Sequence, residues 1–179
     1  MIETLISSKT RVKLLLKFFL NSKATAYLRS LEEEFGESTN AIRLELNRFE
    51  DAKMLTSEPD GKKKIFRVNT THPLFKDLHN IVLKYVGLDQ IVEHVIRRLG
   101  NLEKVYLTGH FARGVDSEII DLVFVGQIDK AYLTQLIEKA EEMIGRHIRY
   151  IAFVPDSFSV EKISENGTHP LLLWSSDKS

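Results

Sequence analysis

The sequence predicts a two-domain protein of the mixed α+β and α/β kind, and three observations carry that expectation. The first 70 residues read as helix, helix, turn, helix and then a hairpin. Beyond about residue 100 the chain alternates strand, loop, strand, helix and strand, the patterning of a sheet flanked by helices. A length of 179 residues with 43% hydrophobic content suits one medium core or two small ones.

In order along the chain, SSKTRVKLLLKFFLNS begins with serines suited to capping and reads as a helix to about Leu20. In ATAYLRSLEEEFGES, Leu28, Leu31 and Phe35 recur at i, i+3 and i+7, one face of a helix that Gly36 ends. STNAIRLELNRFEDAKML is the next helix, capped by Ser38 or Thr39, with Ala41, Ile42, Leu46 and Phe49 as its buried stripe. Met54–Ser57 and Lys64–Val68 are strand-like runs on either side of a Pro-Asp-Gly turn. Pro73 suits the first turn of a helix whose face carries Leu74, Leu78, Ile81, Val82 and Tyr85. Gly87 divides this stretch into helices over Pro73–Val86 and Leu88–Leu99.

Strands are expected at Lys104–Leu107, Ile120–Val125 and His147–Phe153, a helix at about Lys130–Ile144, and an edge strand in PLLLW. The domains are placed at 1–78 and 79–179, with a linking helix over about 73–86.

Composition excludes several classes. There is no cysteine, so disulfides, thiolate ligands and thiol nucleophiles are out. The six histidines show no HxH or HxxxH spacing, and no metal site or cofactor is expected. No run approaches the roughly 20 apolar residues of a membrane span, and no signal-peptide pattern is present, so the cytoplasm is the expected location and no membrane partner is expected. Asn166-Gly-Thr matches a glycosylation sequon but reads as a turn. Net charge is zero, yet Met1–Phe75 carries 13 Lys/Arg against 10 Asp/Glu and the remainder 12 against 15, a mild bias that suits a first half meeting phosphates.

From Ile6 to Asn69 the order of elements resembles a winged helix-turn-helix, with YLRSLEEEFGESTNAIRLELNRFEDAKML similar to the motif of ArsR-like transcriptional regulators. That resemblance implies double-stranded DNA as partner, a recognition helix in the major groove and a homodimer over two half-sites. Asn40, Arg43 and Asn47 lie opposite the buried stripe, with Thr39 and Arg48 flanking them. Asparagine pairs with adenine and arginine with guanine or phosphate. Lys62, Lys63 and Lys64 sit at the expected wing tip, where phosphate contacts position a domain. Leu44, outward where relatives often carry a base, and the acids Glu32, Glu33 and Glu34 run against strong binding.

The run TGHFARGVDSEIIDLVFVG resembles the signature of minimal nucleotidyltransferases over about Val105–Phe153, implying a mixed sheet with flanking helices. Active members place an Asp-x-Asp pair on one strand face and a third acid on a neighbouring strand, a set that holds two Mg²⁺. Here Gly109, Ala112, Arg113, Gly114 and Asp121 match, but His110 replaces the usual serine and Ile119 stands where the first acid belongs. HIRYIAFV supplies Arg149 and no third acid. A shifted register would offer Asp116 and Glu118 instead, still one acid short.

The expected function is therefore a DNA-binding regulator with no catalytic residues, its second domain an effector, dimerisation or partner module. Gly109, His110, Arg113, Gly114 and Asp121 form a possible vestigial nucleotide site. Gly109 and Gly114 also fit tight turns, and Arg113 fits a pair with Asp121 or Asp116. The alternatives are an active nucleotidyltransferase guided by a winged helix, and a protein–protein adaptor.

Overall fold

A computed structural model describes residues 6–164 and 170–177. The sequon at Asn166, and His169, lie outside the described residues. The fold is mixed α and β, with two separate sheets in two compact units. The first unit runs to Tyr85 and takes in Gly114–Asp116; the second holds Val86–Arg113 and the chain from Ser117 on.

In the first unit, α1 (Lys9–Leu15) starts where the Ser8 side chain accepts the Arg11 backbone N–H. It widens into a π-helical turn over Leu16–Leu20 that buries Leu16, Phe18, Phe19 and Leu20. A three-residue strand, β1 (Thr25–Tyr27), precedes α2 (Leu28–Phe35). No sequence pattern marks β1, because three residues are too few to show alternation. After Gly36, α3 (Thr39–Asp51) is capped by the Ser38 side chain.

The hairpin is longer than its turn residues suggest. Strands β2 (Leu55–Asp60) and β3 (Lys63–Val68) include Pro59, Asp60 and Lys63, and the connection is only Gly61-Lys62. Gly61 has φ +59°, the glycine-first pattern of a tight hairpin turn. Strand β1 adds to β3, so the antiparallel sheet runs β1–β3–β2. The core gathers Leu14, Phe18, Phe19, Leu31, Ile42 and Leu46.

Helix α4 (Phe75–Val86) leaves Pro73 in the turn before it rather than in its first turn. In the second unit α5 (Leu88–His94) is followed by a 3₁₀ turn at Ile96–Arg98, short of the single helix to Leu99. Next come β4 (Leu102–Thr108), a one-turn helix α6 (Gly109–Ala112), β5 (Ile119–Gly126), α7 (Lys130–Ile144), β6 (His147–Phe153) and β7 (Leu171–Ser175). The sheet order is β6–β5–β4–β7, with β5 and β6 parallel and the other pairs antiparallel. The β5–β6 crossover is α7, the connection a parallel pair requires.

Every residue of β5 after Ile119 is buried. Ile120, Leu122 and Phe124 point to one face; Asp121, Val123 and Val125 point to the other. On that second face Val123 and Val125 pack with Tyr106 against Phe153, Phe158 and Ile163. Two short 3₁₀ segments, Pro155–Ser157 and Val160–Ile163, bring Phe158 and Ile163 there. Among the described residues no helix is long and apolar enough to cross a membrane.

Candidate functional site

Two concave features stand out, one in each unit. The first, of about 570 Å³, lies among α2, α3 and the β2–β3 hairpin. Its lining includes Thr39, Arg43, Asn47, Lys62, Lys63 and Lys64, six of the eight residues singled out for DNA. Tyr27, Arg29, Glu32 and Phe66 complete the charged and aromatic part of the wall. Five basic residues, Arg29, Arg43, Lys62, Lys63 and Lys64, and one acid, Glu32, thus contribute to its lining. Arg29 and Tyr27 were not anticipated; both follow from the placement of α2 after β1.

The remaining two predicted residues are placed differently. Asn40 stands beside the surface and accepts a hydrogen bond from Arg43 Nη1 at 3.4 Å. Arg48 turns the other way, its Nη1 2.9 Å from Glu45 Oε1, where it supports the helix. Leu44 is outward, 52% exposed.

The three hairpin lysines do not form one cluster. Lys62 is in the turn, and strand alternation sends Lys63 and Lys64 to opposite faces. Lys63 Nζ lies 5.5 Å from the centre of the Tyr27 ring, whose hydroxyl donates to Asp60. That hydrogen bond holds the Tyr27 hydroxyl above its usual pKa. Lys64 reaches Glu50 at 3.6 Å. Two of the three acids of α2 are engaged as well: Glu34 with Lys17 at 2.7 Å and Glu33 with Arg29 at 3.8 Å. Glu32 alone of the three lines the concave surface.

Beneath this surface the buried stripe of α3 contains a charge. Glu45 is 4% exposed and takes the place expected of Ala41, which is half-buried. Arg11 of α1 grips it with two hydrogen bonds, Nε to Oε2 at 2.8 Å and Nη2 to Oε1 at 3.2 Å. Burial pushes the Glu45 carboxyl up, but the bonds and charge of Arg11, with Ser8 and Arg48, outweigh it and hold the pKa below its ordinary value.

The second feature is a cavity of about 350 Å³ around the β4–α6 turn and β5. Of the residues matched to nucleotidyltransferases, Gly109, Ala112, Arg113 and Asp121 line it. His110 is exposed and outside the lining. Gly114 falls in the first unit, where a Cβ would come 2.3 Å from Lys17 Cα; close packing accounts for this glycine, and it is no part of the cavity.

Asp121 is 8% exposed and accepts a hydrogen bond from Arg149 Nε at 2.5 Å. The register that puts Asp121 beside Arg149 is the parallel pairing of β5 with β6. The arginine therefore occupies the strand on which a third acid was sought. Asp116 accepts a hydrogen bond from the Tyr85 hydroxyl at 3.1 Å, and neither Asp116 nor Glu118 lines the cavity. Among the described residues no group of three His, Asp or Glu side chains comes together in a way that could hold a metal ion. The residues present do not fit a two-metal site: the cavity offers one carboxylate, already bonded to a guanidinium.

Gly109 is fitted to that carboxylate. It has φ +65°, and a Cβ there would lie 2.2 Å from Asp121 Oδ2. Gly109→Ala is expected to destabilise the protein by about 2–4 kcal/mol, from left-handed backbone strain plus overpacking. Chemical denaturation checks this; a change under about 0.5 kcal/mol would mean that Asp121 swings away freely.

No family model matches the chain, and no curated protein does. A solved structure, that of AF1382 from Archaeoglobus fulgidus, aligns with 52% of this chain and 98% of its own at 19% identity, with a TM-score of 0.38. That level of likeness assigns neither fold nor function.

Proposed function

We propose that this chain is a DNA-binding transcriptional regulator. Its first unit acts as a winged helix-turn-helix, with α3 as recognition helix and β2–β3 as wing. Its second unit acts as a nucleotidyltransferase-like domain without transferase chemistry, serving as an effector, dimerisation or partner module. The observation that carries the reading is the concave surface lined by Thr39, Arg43 and Asn47 of one helix and by residues of the neighbouring hairpin, Lys62, Lys63 and Lys64 among them. Arginine and asparagine on a helix suit base edges, and lysines on a neighbouring hairpin suit phosphates. A homodimer would present two such surfaces to successive half-sites.

The test is a titration with a pool of short random duplexes at low and moderate salt, with selection of the bound fraction. Salt-sensitive binding with an enriched motif is the expected result, because phosphate neutralisation releases counterions. A symmetric motif would report the dimer. No binding at either salt would replace this reading with a protein adaptor. With the motif in hand, Arg43→Ala is expected to lose about 1–3 kcal/mol of discrimination at one base position. A loss spread evenly over all sequences would make Arg43 a phosphate contact.

A further inference from the structure

We propose that Leu44 of α3 reads the 5-methyl group of a thymine, so that the exposed face of this helix selects A·T pairs. This rests on the reading of α3 as a recognition helix and names the bases it takes. The buried side of α3 holds Ile42, Glu45, Leu46 and Phe49. The opposite side exposes Asn40, Arg43, Leu44 and Asn47. At about 3.6 residues per turn, Leu44 lies about 40° around the helix from Asn40 and about 60° from Asn47. Residues three and four apart are neighbours on a helix surface, so the leucine sits between the two amides. It is 52% exposed. A lone exposed leucine is ordinary on a protein surface; its place between two amides is what gives it a partner chemistry.

The four bases differ in what they show to the major groove. Thymine presents a methyl group beside an acceptor, adenine an acceptor and a donor, guanine two acceptors and cytosine a donor. An isobutyl side chain gains by burying the methyl group against itself. Set against cytosine, it would strip water from the amino group and return no hydrogen bond. The flanking amides carry the same preference, because asparagine pairs bidentately with adenine. Thr39 and Arg43, on the other flank of the exposed face, line the concave surface beside the hairpin. Arg48, four residues on from Leu44, turns to Glu45, its Nη1 2.9 Å from Oε1. On this flank of α3 the leucine, rather than a cation, is the side chain placed to meet a base.

The experiment uses the full chain and the duplex enriched from the random pool. Each thymine of the motif is replaced in turn by deoxyuridine, which keeps the pairing edge and removes only the methyl group. Fluorescence anisotropy reads the affinity of wild type, Leu44→Ala and Leu44→Met for each duplex. At one thymine of a half-site, loss of the methyl group is expected to weaken wild type roughly threefold to fivefold, the worth of one buried methyl group. Leu44→Ala is expected to be indifferent to that replacement, and Leu44→Met to keep most of the difference. Alanine and methionine are both strong helix formers, so α3 stays folded in either variant. A motif without thymine, uracil duplexes all bound as tightly as the parent, or a uracil penalty that survives in Leu44→Ala would each overturn the proposal while DNA binding stands. Absence of binding to any duplex at either salt would overturn the regulator reading and this proposal with it, so the two failures are told apart.

Discussion

Replacing Lys62, Lys63 and Lys64 together with alanine is expected to weaken duplex binding on the order of 10- to 100-fold at moderate salt, equally for all sequences. The slope of log affinity against log salt should fall by about 2 to 3, near 0.9 for each phosphate left without its lysine. All three side chains are exposed, so the fold should survive. Their local partners are weak competitors for phosphate: a tyrosine ring for Lys63, and for Lys64 a 3.6 Å surface pair with Glu50. Salt titrations on the selected duplex and on an unrelated one check both parts. A slope that stays put removes the hairpin from the interface. A drop confined to the selected duplex makes the hairpin a reader of sequence, a role the lysines alone cannot fill.

Helices were the most legible part of the chain. The helix expected at about Lys130–Ile144 and the strand expected at His147–Phe153 both occupy those spans. The hairpin was legible in kind but not in register. Pro-Asp-Gly marks a turn, yet Pro59 and Asp60 pair with Lys64 and Lys63, so the turn itself starts at Gly61. That shift decides which lysines share a face, and composition cannot supply it. Glu45 was missed for a different reason. An acid on an amphipathic helix reads as surface, and the arginine that holds it lies 34 residues away on another helix. Arg149 was visible only as the absence of an acid. Its bond to Asp121 needs the parallel register of β5 with β6, which no local pattern encodes.

Arg11→Ala is expected to destabilise the protein by about 2–3 kcal/mol, the larger of two unequal effects at one buried pair. Removing a partner from a fully buried ion pair costs about 3–5 kcal/mol because the other charge is stranded. Here Glu45 has a 6% exposed side chain but keeps Arg48, which lowers the cost. The converse change, Glu45→Gln, strands two arginine side chains that are 37% and 54% exposed and readily hydrated, so about 1 kcal/mol is expected. The pH dependence follows from the lowered Glu45 pKa. A carboxyl held below its unfolded value stabilises the fold fully above that value, ordinarily 4.5, and loses this as pH falls through the folded pKa. The stability gap between wild type and Glu45→Gln should therefore narrow in acid. Denaturation of the three proteins at neutral pH and near pH 3 measures all of this. If Arg11→Ala stays within about 0.5 kcal/mol of wild type, the pair is an ordinary surface contact. In that case α3 is held by Ile42, Leu46 and Phe49 alone.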